Sequence, residues 1–274
     1  MATVAGVGGS LMRARPAFVA RIKIVLPPLD EQRRIARVLD TANVVRANRR
    51  ATLSKQDMLS AAVFLEAFGD PLTNPRRWPL VTLGELFSER PMYGTMIPAS
   101  ADSGRWLCLR VANINGWNLD LVQRKYVDLP PSESGRHEVR DGDLLLARAI
   151  ASENHLGKAV LVEPGPREWA FDSHLMRLRF DRALAKPRFI REFLRSSGGR
   201  ARFMRVTRRS AVQFNVNTKE IADLEIPCPP IELQSEFVAR QSLVVGARDR
   251  AEAHLAHLDA LFASLQHRAF TGAL

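Results

Sequence analysis

Ile24–Asp40 reads IVLPPLDEQRRIARVLD, and 202 residues later Ile226–Ser242 reads IPCPPIELQSEFVARQS. The offset holds without a gap to Phe68 and Phe270, and matches Pro27/Pro229, Pro28/Pro230, Gln32/Gln234, Arg46/Arg248, Leu53/Leu255, Asp57/Asp259, Leu59/Leu261 and Ala67/Ala269. Two equivalent elements therefore flank one intervening domain. Each copy is a short β-type run, a Pro-Pro pair and a long polar helix start. The prolines cannot continue a ladder, and they are tolerated at a helix entrance, where the first N–H groups have no intrahelical partner. Asp30 and Glu31, or Glu232, then sit at the positive end of the helix dipole. No proline or glycine interrupts Asp30–Phe68, and Gly246 alone interrupts the second copy.

Heptad spacing gives the second helix a seam. Phe237, Val244, Ala251, Leu258 and Leu265 recur every seven residues, with Leu255, Phe262 and Ala269 as companions. Gln241 and Arg248 interrupt its first half. In the first helix Ile35, Val38, Ala42, Val45, Leu59 and Val63 fit a seam that Arg49 and Gln56 interrupt. Two matched helices packed on one another explain the repeat better than two unrelated amphipathic helices.

Between the helices lies a mixed α/β domain, so the fold class is α+β. Gly69–Pro79 reads as a helix-ending linker. Trp106–Ala112, Arg124–Leu129, Asp143–Arg148, Lys158–Glu163 and His174–Phe180 read as strands, with a turn at Asn115-Gly116. His174, Met176, Leu178 and Phe180 alternate with Leu175, Arg177 and Arg179, which predicts one basic or solvated face. Pro187–Ser197 reads as a helix stopped by Gly198-Gly199. The divisions are 1–23, the tail of a domain whose body is missing; 24–70, the first helical region; 71–227, the central domain; and 228–274, the second helical region.

Taken in order, these residues resemble the DNA-specificity subunit of type I restriction–modification systems. The resemblance rests on PPLDEQRRI with its long helix, then Phe68-Gly69-Asp70-Pro71, Asn74-Pro75, Trp78-Pro79, Leu83-Gly84-Glu85-Leu86, Gly142-Asp143-Leu144-Leu145 and Ile226-Pro227 to Pro229-Pro230. It implies a half-length subunit with one target-recognition domain, where the family usually has two, each followed by a helical region. It further implies that the domain reads half of a split duplex DNA target and that the helices pack antiparallel. A modification subunit would bring S-adenosylmethionine, and a restriction (motor) subunit would bring ATP hydrolysis, Mg and cleavage. This chain itself is expected to hold no cofactor and no metal, and a second copy or another half-subunit could supply the second reader. The alternative is a degenerate fragment that is only a structural partner of the modification subunit.

Composition agrees with this. The formal net charge of +11 over 274 residues favours a polyanionic partner. Arg177–Arg209 holds twelve Lys/Arg against Asp181 and Glu192. No run of eighteen apolar residues suggests a membrane span, and two cysteines, Cys108 and Cys228, exclude a disulfide scaffold. A cytoplasmic protein is expected. No phosphate-cradling glycine loop, dinucleotide fingerprint, Asn/Asp-Pro-Pro-Tyr/Phe motif or close carboxylate–lysine cluster is present, so the chain reads as non-catalytic. Asp141-Gly142-Asp143 is more simply a turn.

Arg to guanine and Asn or Gln to adenine are the usual base-edge pairings. The candidate readers lie in loops: Arg90, Tyr93 and Thr95; Arg110 and Asn113; Arg148, Asn154, His155 and Lys158; Arg208, Arg209, Gln213 and Asn215. Any one of them, taken singly, reads first as a solvated loop residue and Tyr93 as a packed ring, while Arg110 and Asn113 either contact phosphate or support the Asn115-Gly116 turn. Leu258, Phe262 and Leu265 are the candidate docking residues for the modification subunit.

Overall fold

The computed structural model describes residues 16–21, 26–150, 155–165, 168–209 and 214–274. After a single turn, α1 (Pro16–Val19), the chain enters α2 (Leu29–Phe68) and ends in α7 (Ile231–Thr271). The two entrances are alike. The Gln32 side-chain amide donates to the Pro27 carbonyl at 2.8 Å, and that of Gln234 donates to the Pro229 carbonyl at 2.9 Å. The backbone N–H of each glutamine reaches the carbonyl of the second proline. Each Pro-Pro thus starts a helix whose first glutamine returns to bond it. Two compact units result: 1–54 with 248–274, and 55–247.

In the first unit α2 and α7 run antiparallel. Arg46 bonds Asp259 at 2.6 Å, Arg49 contacts His254 and Arg34 donates to the Leu274 carbonyl, so residue numbers rise along one helix as they fall along the other. The α7 seam is the expected one. Ala251 is buried, and Leu255, Leu258, Phe262, Leu265 and Ala269 are half-buried. The α2 seam differs. Val45 is 44% exposed, whereas Arg46 and Arg49 are half-buried. Arg46 lies 4.2 Å from the centroid of the Phe262 ring while its Nε reaches Asp259, so a cation holds a position that apolar patterning gives to its neighbour.

The second unit holds the mixed domain and the adjoining helix ends. Its strands are β1 (Leu80–Thr82), β2 (Phe87–Tyr93), β3 (Trp106–Leu109), β4 (Ile114–Asn115), β5 (Asn118–Leu119), β6 (Tyr126–Val127), β7 (Leu144–Ala147), β8 (Ala149–Ile150), β9 (Ala159–Leu161), β10 (Trp169–Phe171), β11 (Leu175–Phe180), β12 (Arg208–Arg209), β13 (Phe214–Asn215) and β14 (Glu225–Pro227). The helices are α3 (Pro131–His137), α4 (Pro187–Arg195), α5 (Ser197–Val206) and α6 (Thr218–Ala222). An antiparallel sheet of order β2-β11-β7-β9 forms its centre, beside a β10-β3-β6 sheet and a β12-β13-β8 sheet. β1 pairs with β14, which closes the domain's beginning onto its end. Fully buried Leu144, Leu146, Met176 and Leu178 join Phe64, Phe189 and Phe237 in the main core.

Three local expectations are corrected. Phe87–Tyr93 is a strand, so Arg90 and Tyr93 do not lie in a loop; as an edge strand of its sheet it tolerates Pro91. Gly198-Gly199 does not stop a helix. Ser196 ends α4 and caps α5, its hydroxyl accepting the Gly199 N–H at 3.0 Å, and both glycines lie inside α5. Leu59 is exposed, and its place in the seam falls to Ser60, which is buried. Ser60 Oγ donates to Gln241 at 2.9 Å, and Gln241 Nε2 donates to the Ser60 carbonyl at 2.8 Å. A seam continued by a satisfied polar pair fixes register, because a slipped pairing would leave buried amide groups without partners.

Candidate nucleic-acid interface

Three of the predicted segments meet. β8 follows directly on Arg148 and pairs with β13, which pairs with β12, so residues 149–150, 208–209 and 214–215 form one small sheet. The Val216 N–H donates to the Arg148 carbonyl at 3.0 Å. The Arg148 guanidinium lies 4.0 Å from the centroid of the Tyr93 ring on β2. The Tyr93 hydroxyl accepts the Thr218 N–H at 3.3 Å. Tyr93, Arg148 and Thr218 line an open cavity of about 830 Å³, completed by the Gly94–Pro98 loop and by Arg136 and His137 at the end of α3. The loop is pinned. A side chain at Gly94 would collide with the carbonyl oxygens of Phe171 and Asp172. Thr95 donates its N–H to Phe171 O at 2.9 Å, and its hydroxyl accepts the Ile97 N–H. Met96, between those anchors, is 88% exposed. Sequence reasoning missed Arg136, Ser173 and Thr218, because nothing local brings them to Tyr93.

Among the described residues of the basic block, most guanidinium groups are engaged by carboxylates and carbonyls of the domain itself. Arg177 is 4% exposed; it donates to the carbonyls of Arg136 and Glu138 and to Glu89. Arg179 grips Asp143 with two bonds, at 2.7 and 2.8 Å, and reaches Glu89 at 2.7 Å. Arg182 pairs with Asp141, Arg188 with Glu163, and Arg191 and Arg195 with Glu192. Arg200 donates to the Leu156 carbonyl and Arg202 to that of Pro71. The solvated basic face expected on β11 is thus a buried ion-pair cluster. Three guanidinium groups, Arg179 foremost, hold the Glu89 carboxyl below the usual carboxylate range.

The remaining candidates divide. Asn113 is buried: its carbonyl oxygen accepts the Arg110 N–H and its amide donates to Asp120 O and Gln123 O, leaving no group for a base. Arg110 donates to Gln123 O, the carbonyl that Asn113 also bonds. Thr95 is also buried, and its hydroxyl is engaged by Ile97. Arg90, His155 and Asn215 are exposed, and Lys158 is half-buried. Asn154 and Gln213 lie outside the described residues, as do the side chains of Arg208 and Arg209. Leu258, Phe262 and Leu265 sit in the helix seam, and the exposed apolar residues of that unit include Leu26, Leu29, Val44, Val45, Leu261 and Phe270.

His137 gives the site a pH dependence. It is buried, its Nδ1 has no partner among the described residues and its Nε2 lies 3.7 Å from Glu133. Burial pushes its pKa below the usual histidine range, against the opposing pull of Glu133. A histidine depressed in the folded state is bound more tightly by protons when unfolded. Its contribution is therefore complete above about pH 6.5 and is lost as pH falls from there through the folded value. Between pH 7 and pH 5 the wild type should lose more stability than His137→Leu, read as the shift in urea midpoint at each pH.

No family model matches the chain. It is 25% identical over 284 residues to the type I restriction enzyme EcoKI specificity subunit of Escherichia coli K12, covering 97% of this chain and 61% of that protein. It is 24% identical over 282 residues to the StySPI specificity subunit of Salmonella potsdam, with the same two coverages of 97% and 61%. The chain thus spans about three fifths of the length of the curated relatives it matches. The fold matches that of the type I restriction-modification S subunit from M. genitalium, with a TM-score of 0.58 at 14% identity over 96% of this chain and 67% of that one. By these similarities the chain is a homologue of the specificity subunits of type I restriction enzymes.

Proposed function

We propose that the chain reads duplex DNA for a type I restriction–modification complex and is not itself catalytic. The observation that carries this reading is the meeting of Tyr93, Arg148, Arg136 and Thr218 around one open cavity, in a homologue of specificity subunits. Exposed Arg90 and Arg136, without ion-pair partners among the described residues, supply phosphate contacts. S-adenosylmethionine, ATP and Mg act on the modification and restriction subunits. If the interface contacts ~6 phosphates, affinity for duplex DNA should fall by about 10³ between about 50 and 200 mM salt. Undetectable binding at low salt, with and without the modification subunit, would overturn this reading. Mapping methylated adenines in cells with and without the gene then gives the target.

The internal pairing of the arginine block favours one second reading, a structural partner of the modification subunit that recognises no site. Adenine methylation directed to a defined sequence separates the two.

Assembly follows from the repeat. Phe68 is buried at 4% exposure on the central domain's side, whereas its equivalent Phe270 is 85% exposed. Leu26 and Leu29, equivalent to Cys228 and Ile231, are exposed too. A second recognition domain, from a second copy or another half-subunit, would cover them, and two copies would give an inverted-repeat target. The modification subunit docks on the helices through the exposed Val44 and Leu261. Leu261→Asp should abolish that complex on size exclusion while leaving helical content unchanged, whereas Leu258→Asp should disturb the helix pair itself. A complex that survives Leu261→Asp would refute the placement.

A further inference from the structure

The guanidinium groups of the central domain are of two kinds. Those of Arg177, Arg179, Arg182 and Arg191 end on carboxylates or carbonyls and hold the fold together. Arg148 is fixed just as firmly, but its terminal nitrogens are left over. Its N–H donates to the His174 carbonyl at 3.1 Å and its own carbonyl accepts from Val216, so the backbone is held on both sides. Its Nε donates to the Ser173 carbonyl at 2.8 Å. Its guanidinium lies over the Tyr93 ring, and that ring is held in turn by β2 and by the bond from Thr218. Nη1 and Nη2 have no partner among the described residues, and the side chain lines the 830 Å³ cavity.

That combination suits a ligand with two coplanar acceptors. A cation that only neutralises a phosphate works as a point charge and gains nothing from a fixed plane. A guanidinium whose plane is set by a ring and by Nε, with two terminal nitrogens open, presents a fork to two acceptors lying in one plane. In the major groove those acceptors are O6 and N7 of guanine. Holding a partly buried fork without partners also has a desolvation cost, which a bound base edge would offset.

We propose that Arg148 reads a guanine through a bidentate contact, with Tyr93 and Ser173 as the positioning residues that hold its plane. This rests on the DNA-reading role proposed above. The bidentate chemistry is shared with a phosphate, and the two sources leave different traces. A phosphate contact changes affinity uniformly across sequences, whereas a base contact relaxes one position of the target.

The test selects a random-sequence duplex library with the full chain together with its modification subunit, as wild type, Arg148→Lys, Tyr93→Leu and Tyr93→Phe, each first checked for an unchanged melting profile. Wild type should return a consensus containing a guanine that Arg148→Lys no longer demands, the preference there falling about 10-fold or more while the other positions persist. Lysine keeps the charge and the stem but loses the fork. Tyr93→Leu should weaken the same preference and no other, and Tyr93→Phe, which keeps the ring, should retain it. A consensus unchanged in both Arg148→Lys and Tyr93→Leu, with affinity uniformly lower or unaltered, overturns the proposal and leaves the DNA-reading role standing. A wild type that returns no consensus overturns that role and this inference with it. Should Arg148→Lys melt early, Tyr93→Leu decides alone.

Discussion

Replacing Asp143 by alanine should destabilise the 55–247 unit by about 3–5 kcal/mol, seen as a large drop in urea midpoint with little change in slope. The Asp143 side chain is 1% exposed and accepts three bonds, two from Arg179 and one, at 2.7 Å, from the Arg140 N–H. Truncation leaves a largely buried guanidinium short of its main counter-ion and a backbone N–H without its acceptor. Against a total stability of ~5–15 kcal/mol that is a severe loss. Arg182→Ala, which breaks an exposed pair with Asp141, should stay within ~1 kcal/mol. Equal effects of the two variants would show that burial does not set the worth of these pairs. The cluster should also weaken in acid. The folded pKa of Glu89 is depressed, so its contribution is present above the unfolded carboxylate value of about 4.3 and is lost as pH falls through the folded one.

The same cluster shows what a sequence hides. Arg177 and Arg179 on an alternating strand read as a basic or solvated face, and with their neighbours in the chain they make a basic block. Their partners are Glu89 and Asp143, 88 to 90 and 36 residues away for the bonds in question. Local charge density carries no trace of pairing at that range. The helices were legible because two copies of one pattern check each other, down to the glutamine that bonds its Pro-Pro. The course of the α2 seam was not, because Arg46, Arg49 and Ser60 are seam residues whose partners, Asp259, His254 and Gln241, lie on the other helix. β2 was lost to Pro91 and a run of polar residues, which argue against a central strand but not against an edge. The meeting of the Tyr93, Arg148 and Asn215 segments depends on the pairing of two-residue strands, below the length at which alternation can be read.

Phe237→Ala should be as damaging as the loss of Asp143, by about 3–5 kcal/mol. Its ring stands edge-on to Phe64 at 5.7 Å and to Phe68 at 5.1 Å between centroids, and both of those rings meet Phe189 on α4. Removing it empties the point where α2, α7 and α4 converge, and neighbours held on three helices cannot close the gap. Because the rings touch, Phe64→Ala and Phe237→Ala should not add, the double variant departing from the sum by about 0.5–3 kcal/mol. The repeat supplies the comparison. Phe270 matches Phe68 in sequence but is almost fully exposed, so Phe270→Ala should change the stability of the isolated chain by no more than ~0.5 kcal/mol, while Phe68→Ala should cost several. A cost of ~2 kcal/mol or more at Phe270, appearing only as protein concentration rises, would mean that a second copy covers it in solution. The same cost independent of concentration would mean that the chain's own residues cover it, and the second recognition domain would then have no platform there.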